Sequence, residues 1–368
     1  MIKERAGLNI IAPYKAAKNY EAVKRETGIE NIIKLAGNEN RLGCSENVIK
    51  IIQKHKEQFS FYPDMNCTIL KNRLSLIHGI KEDNLVFGNG SFELISLIAL
   101  AYLEAADESI LSYPSFGWYK NVTLQMNAAP VIVPLKEFTV DTAVILNSIT
   151  KQTKIIWICN PNNPTGTVLR ERELREFIRK VPDNILIVLD EAYIDFVEAD
   201  YFDTVSLIKE NKNIILLRTF SKLYGLASFR IGYGMADEDI VEKINKVRLP
   251  INVSLLAQKA AEASLEDDNF KNLVLKNNRD SLKLYYSELD KEGIKYIRSN
   301  GNFILIYLGI PGAVSEKEFL RNGIMIRNAS EFGLDGWVRI SIGTFEENEK
   351  VIQVLKKLYL QIDKEEKQ

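Results

Sequence analysis

The chain has few of the residues that build metal centres, disulfide frameworks or membrane spans. It contains two histidines and three cysteines in 368 residues, and the cysteines, Cys44, Cys67 and Cys159, are far apart. A metal site or a disulfide scaffold is therefore not expected, and reduced thiols are typical of a cytoplasmic protein.

The longest apolar run, residues 94–103, is about half of the roughly 20 residues that a membrane span requires and predicts a buried helix. No signal-peptide pattern opens the chain.

The chain also lacks an excess of charge of either sign. Its formal net charge is −1, with 48 Lys and Arg against 49 Asp and Glu, and no block of basic residues. This balance gives no support for nucleic acid or an anionic membrane surface as a partner. The length and the 46% of hydrophobic residues are typical of a globular protein with a large and a smaller domain. We therefore expect small-molecule ligands in a pocket.

The middle of the chain alternates short β-branched runs with longer amphipathic segments. The runs are apolar on both faces, which predicts strands covered by helices on both sides. They are residues 109–113, 131–134, 154–159, 185–189, 214–218 and 231–235. Helix-like segments such as 92–104 and 171–180 lie between them. This alternation predicts an α/β fold: a large domain with a mostly parallel sheet flanked by helices, plus a smaller α+β domain.

Both chain ends depart from this alternation. The first forty residues are rich in loops, and a long helix-like stretch follows the last of the strands above. Two strand-like pieces, 302–308 and 337–342, then precede a terminal helix. We predict a large domain spanning residues 45–265 and a small domain formed by residues 1–44 and 266–368 together.

Polar side chains follow three of the predicted strands. Strand 185–189 is followed by Asp190, strand 154–159 by a loop containing Asn163, and strand 214–218 by a loop containing Lys222. Each feature alone is commonly a turn or a helix cap. Ligands of open parallel sheets bind beyond the carboxyl ends of the strands. The combination therefore predicts a carboxylate, a carboxamide and an amine around one ligand.

The order and spacing of these segments resemble the fold-type I pyridoxal 5'-phosphate (PLP) aminotransferases, and most closely the histidinol-phosphate aminotransferase group. The matching strings are residues 160–166 (NPNNPTG), 190–196 (DEAYIDF) and 218–232 (RTFSKLYGLASFRIG), with shorter echoes at 13–14, 38–40, 62–64 and 339–344. The resemblance covers nearly the whole chain. It implies a cytoplasmic, homodimeric transferase of amino-acid biosynthesis that uses PLP, an amino donor and a 2-oxo acid acceptor.

The resemblance implies a role for each group at the strand ends. Lys222 matches the Schiff-base lysine, whose freed amine moves a proton between the substrate Cα and the cofactor. Asp190 matches the carboxylate that keeps the pyridine nitrogen protonated and so strengthens the electron sink. At ~4 Å and an effective dielectric of about 20 this pairing is worth about 4 kcal/mol, or roughly three pKa units. Asn163 and Tyr193, the latter counted with the catalytic residues, match the groups that hydrogen-bond the ring hydroxyl oxygen.

The cofactor phosphate requires donors, which backbone amides at a helix start supply. Residues 88–91 (GNGS) precede a helix-like run, without the later residues of a dinucleotide fingerprint or P-loop. By resemblance, the phosphate-binding groups are the amides of Gly90, Ser91 and Phe92 and the side chains of Thr219, Ser221 and Arg230. Phe116 matches the aromatic residue that stacks on the ring. Tyr62 matches a tyrosine that reaches the phosphate from the neighbouring subunit, which implies shared active sites.

Four positions match substrate-binding residues of the group. Arg339 matches the arginine that grips a substrate α-carboxylate by a bidentate fork. Arg327 and Tyr14 match positions that bind the distal phosphate of histidinol phosphate, and Asn38 is a further substrate-binding candidate. Arg327 is the more informative, because a second cation serves no purpose toward a neutral side chain. The leading prediction is therefore transamination between histidinol phosphate and 2-oxoglutarate.

Three departures from the usual pattern leave the substrate open. Arg41, Phe92 and Ser228 replace a frequent proline, acid and glycine. The alternatives are an aminotransferase of an aromatic or other amino acid and an enzyme like threonine-phosphate decarboxylase. A non-catalytic regulator is expected to lose the lysine or the aspartate, and a nicotinamide oxidoreductase would need a glycine fingerprint.

Overall fold

The fold is described from a computed structural model, which describes residues 2, 4–11, 13, 20–197 and 200–366, without the side chains of 362–366. Within these residues the strands are β1 (Ile33–Lys34), β2 (Leu85–Gly88), β3 (Glu108–Tyr113), β4 (Ala129–Lys136), β5 (Thr139–Val140), β6 (Thr153–Cys159), β7 (Leu186–Asp190), β8 (Ile214–Thr219), β9 (Gly232–Ala236), β10 (Tyr296–Ile297), β11 (Phe303–Tyr307), β12 (Ile324–Met325), β13 (Arg327–Asn328) and β14 (Trp337–Ser341).

The α-helices of the same described ranges are α1 (Tyr20–Thr27), α2 (Glu46–Lys54), α3 (Thr68–His78), α4 (Ser91–Tyr102), α5 (Trp118–Gln125), α6 (Thr142–Asn147), α7 (Glu171–Ile178), α8 (Val205–Glu210), α9 (Glu238–Val247), α10 (Leu255–Leu265), α11 (Asp268–Lys291), α12 (Gly312–Arg321) and α13 (Phe345–Glu366). The apolar run at 94–103 lies in α4 as predicted, except for Leu103, which follows the last residue of the helix. No helix in the described part of the chain is long and apolar enough to span a membrane.

The main sheet has eight strands in the order β2-β9-β8-β7-β6-β3-β4-β5. The five neighbouring strands from β8 to β4 are parallel. β9 is antiparallel to both of its neighbours, and β5 closes the other edge as a hairpin with β4. The predicted α/β class with a mostly parallel sheet is confirmed.

Alternating side chains of the central strands enter two hydrophobic cores. In β7, Ile187 and Leu189 pack into the core on one face of the sheet, and Leu186 and Val188 pack into the core on the other. All five residues of β7 are buried. A strand that is covered on both faces must be apolar throughout, which is why the sequence runs LIVL before Asp190.

A third core joins the two chain ends. β11 and β14 are the middle strands of a four-stranded antiparallel sheet, and their apolar side chains pack against α11 and α13. Leu35, near the start of the chain, belongs to the same core. β1 pairs in parallel with β12, so that the N-terminal segment is fixed to the C-terminal part.

The tips of β6, β7 and β8 lie level with one another. Cys159, the last residue of β6, pairs with Asp190, which in turn pairs with Leu217 of β8. The three loops that follow these strands therefore start at one edge of the sheet.

Candidate active site

A cavity of about 510 Å³ lies at this edge, between the two sheets. It brings together most of the residues predicted to form the site. The predicted residues that line it are Asn38, Ser91, Phe92, Phe116, Asn163, Asp190, Tyr193, Thr219, Ser221, Lys222, Arg230, Arg327 and Arg339.

Three predicted residues are not among the lining. Gly90 lies immediately behind it, as the residue that precedes α4. Tyr62 is 88% exposed on the surface of the chain. Tyr14 lies outside the described residues.

Lys222 extends its amine into the cavity from the loop that follows β8. Its Nζ donates a hydrogen bond to the carbonyl oxygen of Gly37 at 3.3 Å and lies 5.6 Å from the centre of the Tyr193 ring. Burial and, next, the positive charge of Arg339 lower the pKa of Lys222 to about 8. A substantial fraction of this amine is therefore neutral near pH 8, and the neutral amine is the nucleophile.

Asp190 is held by two hydrogen bonds and is only 4% exposed. Its Oδ2 accepts from the Tyr119 hydroxyl at 2.7 Å, and its Oδ1 accepts from the backbone N–H of Ala192 at 3.2 Å. Burial raises the pKa of Asp190 to about 6, and the two hydrogen bonds oppose that rise. The group is thus a carboxylate at neutral pH, ready to pair with a cation in the cavity.

Tyr119 is a site residue that the sequence analysis missed. It lies on α5, is fully buried, and its ring stacks on Trp157 at 5.3 Å between centroids. Phe116, which precedes the helix and lines the cavity, contacts it edge-on at 5.4 Å. A tyrosine in an aromatic run looks like core in the sequence. A buried hydroxyl needs a partner, but the sequence does not show that the partner is Asp190.

Arg339 and Asn163 hold each other in fixed orientations. Arg339 is buried, and its Nη1 donates to Asn163 Oδ1 at 2.6 Å while its Nη2 donates to the carbonyl oxygen of Ala36 at 2.8 Å. With Oδ1 accepting this bond, Asn163 offers its Nδ2 as a hydrogen-bond donor. Beside it, the Tyr193 hydroxyl accepts from Asn38 Nδ2 at 3.0 Å and keeps its own proton to donate.

The start of α4 forms an anion-binding end of the cavity. Gly90 precedes the twelve-residue helix with φ at 78° and provides no side-chain cap. The first amides of a helix have no carbonyl partner within it, so those of Ser91 and Phe92 can donate to a ligand. The left-handed φ explains the glycine, and a Cβ at Gly90 would also displace the Arg230 guanidinium. The hydroxyls of Thr219 and Ser221 are hydrogen-bonded to each other at 2.9 Å on the same wall.

These groups fit PLP, the cofactor that the resemblance implies. Helix amides, an arginine and two hydroxyls suit a phosphate. A buried carboxylate suits a protonated pyridine nitrogen, and a lysine of lowered pKa suits an aldehyde. The cavity therefore carries a complementary group for each reactive part of the cofactor.

Arg327 lies on β13, and in the antiparallel pairing its position is directly opposite Arg339 on β14. Its guanidinium forms a two-point ion pair with Glu331, which also lines the cavity. Glu331 was not predicted as a site residue. The i,i+4 spacing from Arg327 is a possible signal, but that spacing is far more common on solvated helices.

Comparisons with known proteins agree with this geometry. The profile of the family "Aminotransferase class I and II" matches residues 30–355. Curated relatives include histidinol-phosphate aminotransferase 2 of Carboxydothermus hydrogenoformans, 40% identical, covering 96% of this chain and 98% of the relative. The histidinol-phosphate aminotransferase of Caldicellulosiruptor saccharolyticus is 41% identical, with 96% and 99% covered.

Among solved structures, the histidinol-phosphate aminotransferase of Sinorhizobium meliloti in complex with pyridoxal-5'-phosphate has a TM-score of 0.89. It is 22% identical in sequence, and the match covers 98% of this chain and 99% of the chain of that structure. This likeness confirms the fold-type I architecture. The family profile and the curated relatives establish that the chain belongs to the class I and II aminotransferase family, the PLP-dependent aminotransferases.

Proposed function

We propose that this aminotransferase transfers the amino group of histidinol phosphate to 2-oxoglutarate, as a step of histidine biosynthesis. One observation carries the proposal: Arg327 and Arg339 occupy facing positions on β13 and β14, and both line the cavity. In histidinol phosphate the Cα carries a CH2–O–phosphate group in place of the α-carboxylate of an amino acid. A dianion at that position suits two cations. The names of the curated relatives support the same substrate.

Residues of the chain have distinct tasks in this proposal. PLP, when bound, supplies an electron sink for the substrate Cα. Lys222 moves the proton between that carbon and the cofactor, and Asp190 retains the proton on the ring nitrogen. Asn163 and Tyr193 donate hydrogen bonds to the ring oxygen.

The remaining residues orient the cofactor and the substrates. The phosphate-binding groups are the amides of Gly90, Ser91 and Phe92 with the side chains of Thr219, Ser221 and Arg230. Phe116 packs on the ring, and Asn38 supports Tyr193. For the glutamate and 2-oxoglutarate pair, Arg339 takes the α-carboxylate, because its contacts with Asn163 and Ala36 already fix its plane.

A panel of half-reactions tests the proposal. The PLP form of the enzyme is mixed separately with histidinol phosphate, histidine, tyrosine, phenylalanine and threonine phosphate, and conversion to the pyridoxamine form is followed by absorbance. We expect histidinol phosphate to convert the enzyme at the lowest concentration. A strong response to an unphosphorylated aromatic amino acid with none to histidinol phosphate would refute the substrate. Release of carbon dioxide from threonine phosphate would indicate a decarboxylase instead.

The proposal includes a homodimer in which Tyr62 completes the partner's active site. Tyr62 lies in an apolar surface patch with Phe61, Met65 and Leu249, which are 71%, 49% and 70% exposed. Arg248 Nη1 donates to the carbonyl oxygen of Met65 at 3.4 Å and so joins the two segments of the patch. A second copy of the chain covering this patch would bury these side chains and bring Tyr62 to a neighbouring cavity.

Mixed dimers test this sharing. Tyr62→Ala and Lys222→Ala chains, each with its own affinity tag, are expected to be impaired alone and to recover activity when co-expressed. Each mixed dimer has one complete site, so that random pairing restores about a quarter of wild-type activity. If both residues of a site come from the same chain, co-expression will restore nothing.

The proposal also places the enzyme in the cytoplasm and divides it into a large domain, residues 45–265, and a small one, residues 1–44 and 266–368. The three cysteines are free, as in a reducing compartment. The cores around the main sheet and around β11 and β14 support the division.

We assign Tyr119 as a positioning residue for Asp190 and expect Tyr119→Phe to change the pH dependence of PLP binding. The lost hydrogen bond stabilises the carboxylate, so the pKa of Asp190 should rise above its value of about 6. A hydrogen bond to a charged group is worth about 1.5 kcal/mol, or about one pKa unit. PLP affinity should therefore fall near pH 6 and recover toward pH 8.

Fluorescence titration of the apoprotein with PLP at several pH values measures this shift. Tyr285→Phe is the matched control, because Tyr285 is equally buried and its hydroxyl bonds Asn348 in the other core. A uniform loss of affinity at every pH would point to a merely structural role for Tyr119.

A further inference from the structure

Glu331 forms an ion pair with the guanidinium of Arg327, the group to which the proposed function assigns the substrate phosphate. Glu331 Oε2 accepts from Arg327 Nη2 at 2.6 Å, and Oε1 accepts from Arg327 Nε in the same pair. The two side chains are 19% and 39% exposed, and both line the cavity. The bidentate pair therefore occupies one edge of the Arg327 guanidinium, that of Nε and Nη2, which a phosphate could otherwise bind.

The pairing has a physical cause in the strand register. Arg327 and Arg339 are partners across β13 and β14, and like charges directly opposite each other are destabilising. Two groups that accept hydrogen bonds from Arg339, the Asn163 side chain and the carbonyl of Ala36, are neutral. The carboxylate of Glu331 thus offsets one positive charge at this end of the cavity.

The Glu331 side chain can also move away from Arg327 into solvent. It lies in the short 3-10 helix Ala329–Phe332, and its side chain reaches solvent. A phosphate carries up to two charges and three acceptor oxygens, and so pairs with arginine more strongly than one carboxylate does. A substrate with a neutral side chain gains nothing by displacing Glu331.

We propose that Glu331 occupies Arg327 until the phosphate of the substrate displaces it, and so lowers the preference of the site for phosphorylated donors. This inference rests on the proposed function. Glu331 competes with every substrate that needs Arg327 and does not affect one that makes no use of it. The residue raises the KM of phosphorylated donors and leaves the chemical step unchanged.

Steady-state kinetics of Glu331→Gln test the proposal. With histidinol phosphate as donor, KM is expected to fall about fivefold, which is about 1 kcal/mol at 1.4 kcal/mol per factor of ten; partly exposed ion pairs have this strength. The kcat should not change. With histidinol, which lacks the phosphate, KM should not change either.

Glu318→Gln is the matched control. It removes another pair of short sequence spacing, with Arg321 at the end of α12, and neither residue lines the cavity. The control should keep wild-type KM values for both donors. Thermal unfolding of both variants shows whether each is folded as the wild type is.

The sign of the KM change decides between two roles. An increase in Glu331→Gln would show that Glu331 holds Arg327 in its binding position, and an unchanged KM would show that the pair does not compete. Either result overturns the inference while leaving the substrate assignment intact. A wild-type enzyme that does not convert histidinol phosphate at all overturns the proposed function, and this inference with it.

Discussion

Replacing Lys222 by alanine is expected to lower kcat for transamination by about 10⁴-fold, the upper range for removal of a general acid–base group. Of the described residues that line the cavity, Lys222 alone carries an amine. Its lowered pKa of about 8 makes that amine available as the neutral base. Water that enters the enlarged cavity is a poor substitute, because it is neither positioned nor basic enough to carry the proton.

Single-turnover conversion of the PLP form by the amino donor measures this loss apart from product release. Lys259→Ala is the matched control, since Lys259 is a partly buried lysine that pairs with Glu262 at 2.8 Å and does not line the cavity. It should retain nearly full activity. A Lys222→Ala enzyme with more than a tenth of wild-type activity would exclude Lys222 as the proton carrier.

The second large effect is expected for Asp190→Asn, which keeps the shape of the side chain and removes its charge. At ~4 Å and an effective dielectric of about 20, a carboxylate stabilises a pyridinium by about 4 kcal/mol, or about 10³-fold in rate. An asparagine can still accept the hydrogen bond from Tyr119, but its NH2 group then faces the N–H of Ala192 and that second hydrogen bond is lost. The loss should therefore appear in kcat, while the protein remains folded.

Asp195→Asn is a suitable control for this substitution. Burial raises the pKa of Asp195 to about 6 as well, yet its side chain does not line the cavity. Asp195→Asn should keep most of its kcat. If Asp190→Asn stays within tenfold of wild type, the ring nitrogen is not held by this carboxylate.

The sequence predicted the fold because the strands of the main sheet are apolar throughout and the segments between them are helical. The predicted strand at 185–189 is observed as Leu186–Asp190. The three strand-end loops were expected at one edge, and β6, β7 and β8 are indeed neighbours. Such patterns are local, so they can be recognised along the chain.

Helix boundaries were harder to predict. The sequence from about residue 254 predicts one long helix-like stretch, but the structure divides it into α10 and α11. Asp267 lies at the break, where its side chain caps α11 by accepting from the N–H of Phe270. In a charged, helix-like sequence, an aspartate that caps a helix cannot be told from one that is exposed on the side of a helix.

The contacts of the site depended on distances that the sequence does not contain. Tyr119 and Asp190 are 71 residues apart, and only the packing of α5 on the sheet brings the hydroxyl to the carboxylate. Glu331 is close to Arg327 in sequence, but the reason for their ion pair is the positive charge of Arg339, which lies across from Arg327 on the next strand. The motifs therefore predicted the residues that match the cofactor. The structure was needed to find Tyr119 and Glu331, which contact Asp190 and Arg327.

The position of the cofactor on the chain provides the most direct test of the site. The yellow PLP form is reduced with borohydride, digested, and the pyridoxyl-labelled peptide is sequenced by mass spectrometry. We expect the colour to bleach and the label to lie on Lys222, with no labelled peptide from Lys222→Ala. Label on another lysine of the wild type, or an active enzyme with no covalent label, would contradict the assignment of Lys222 and the site built around it.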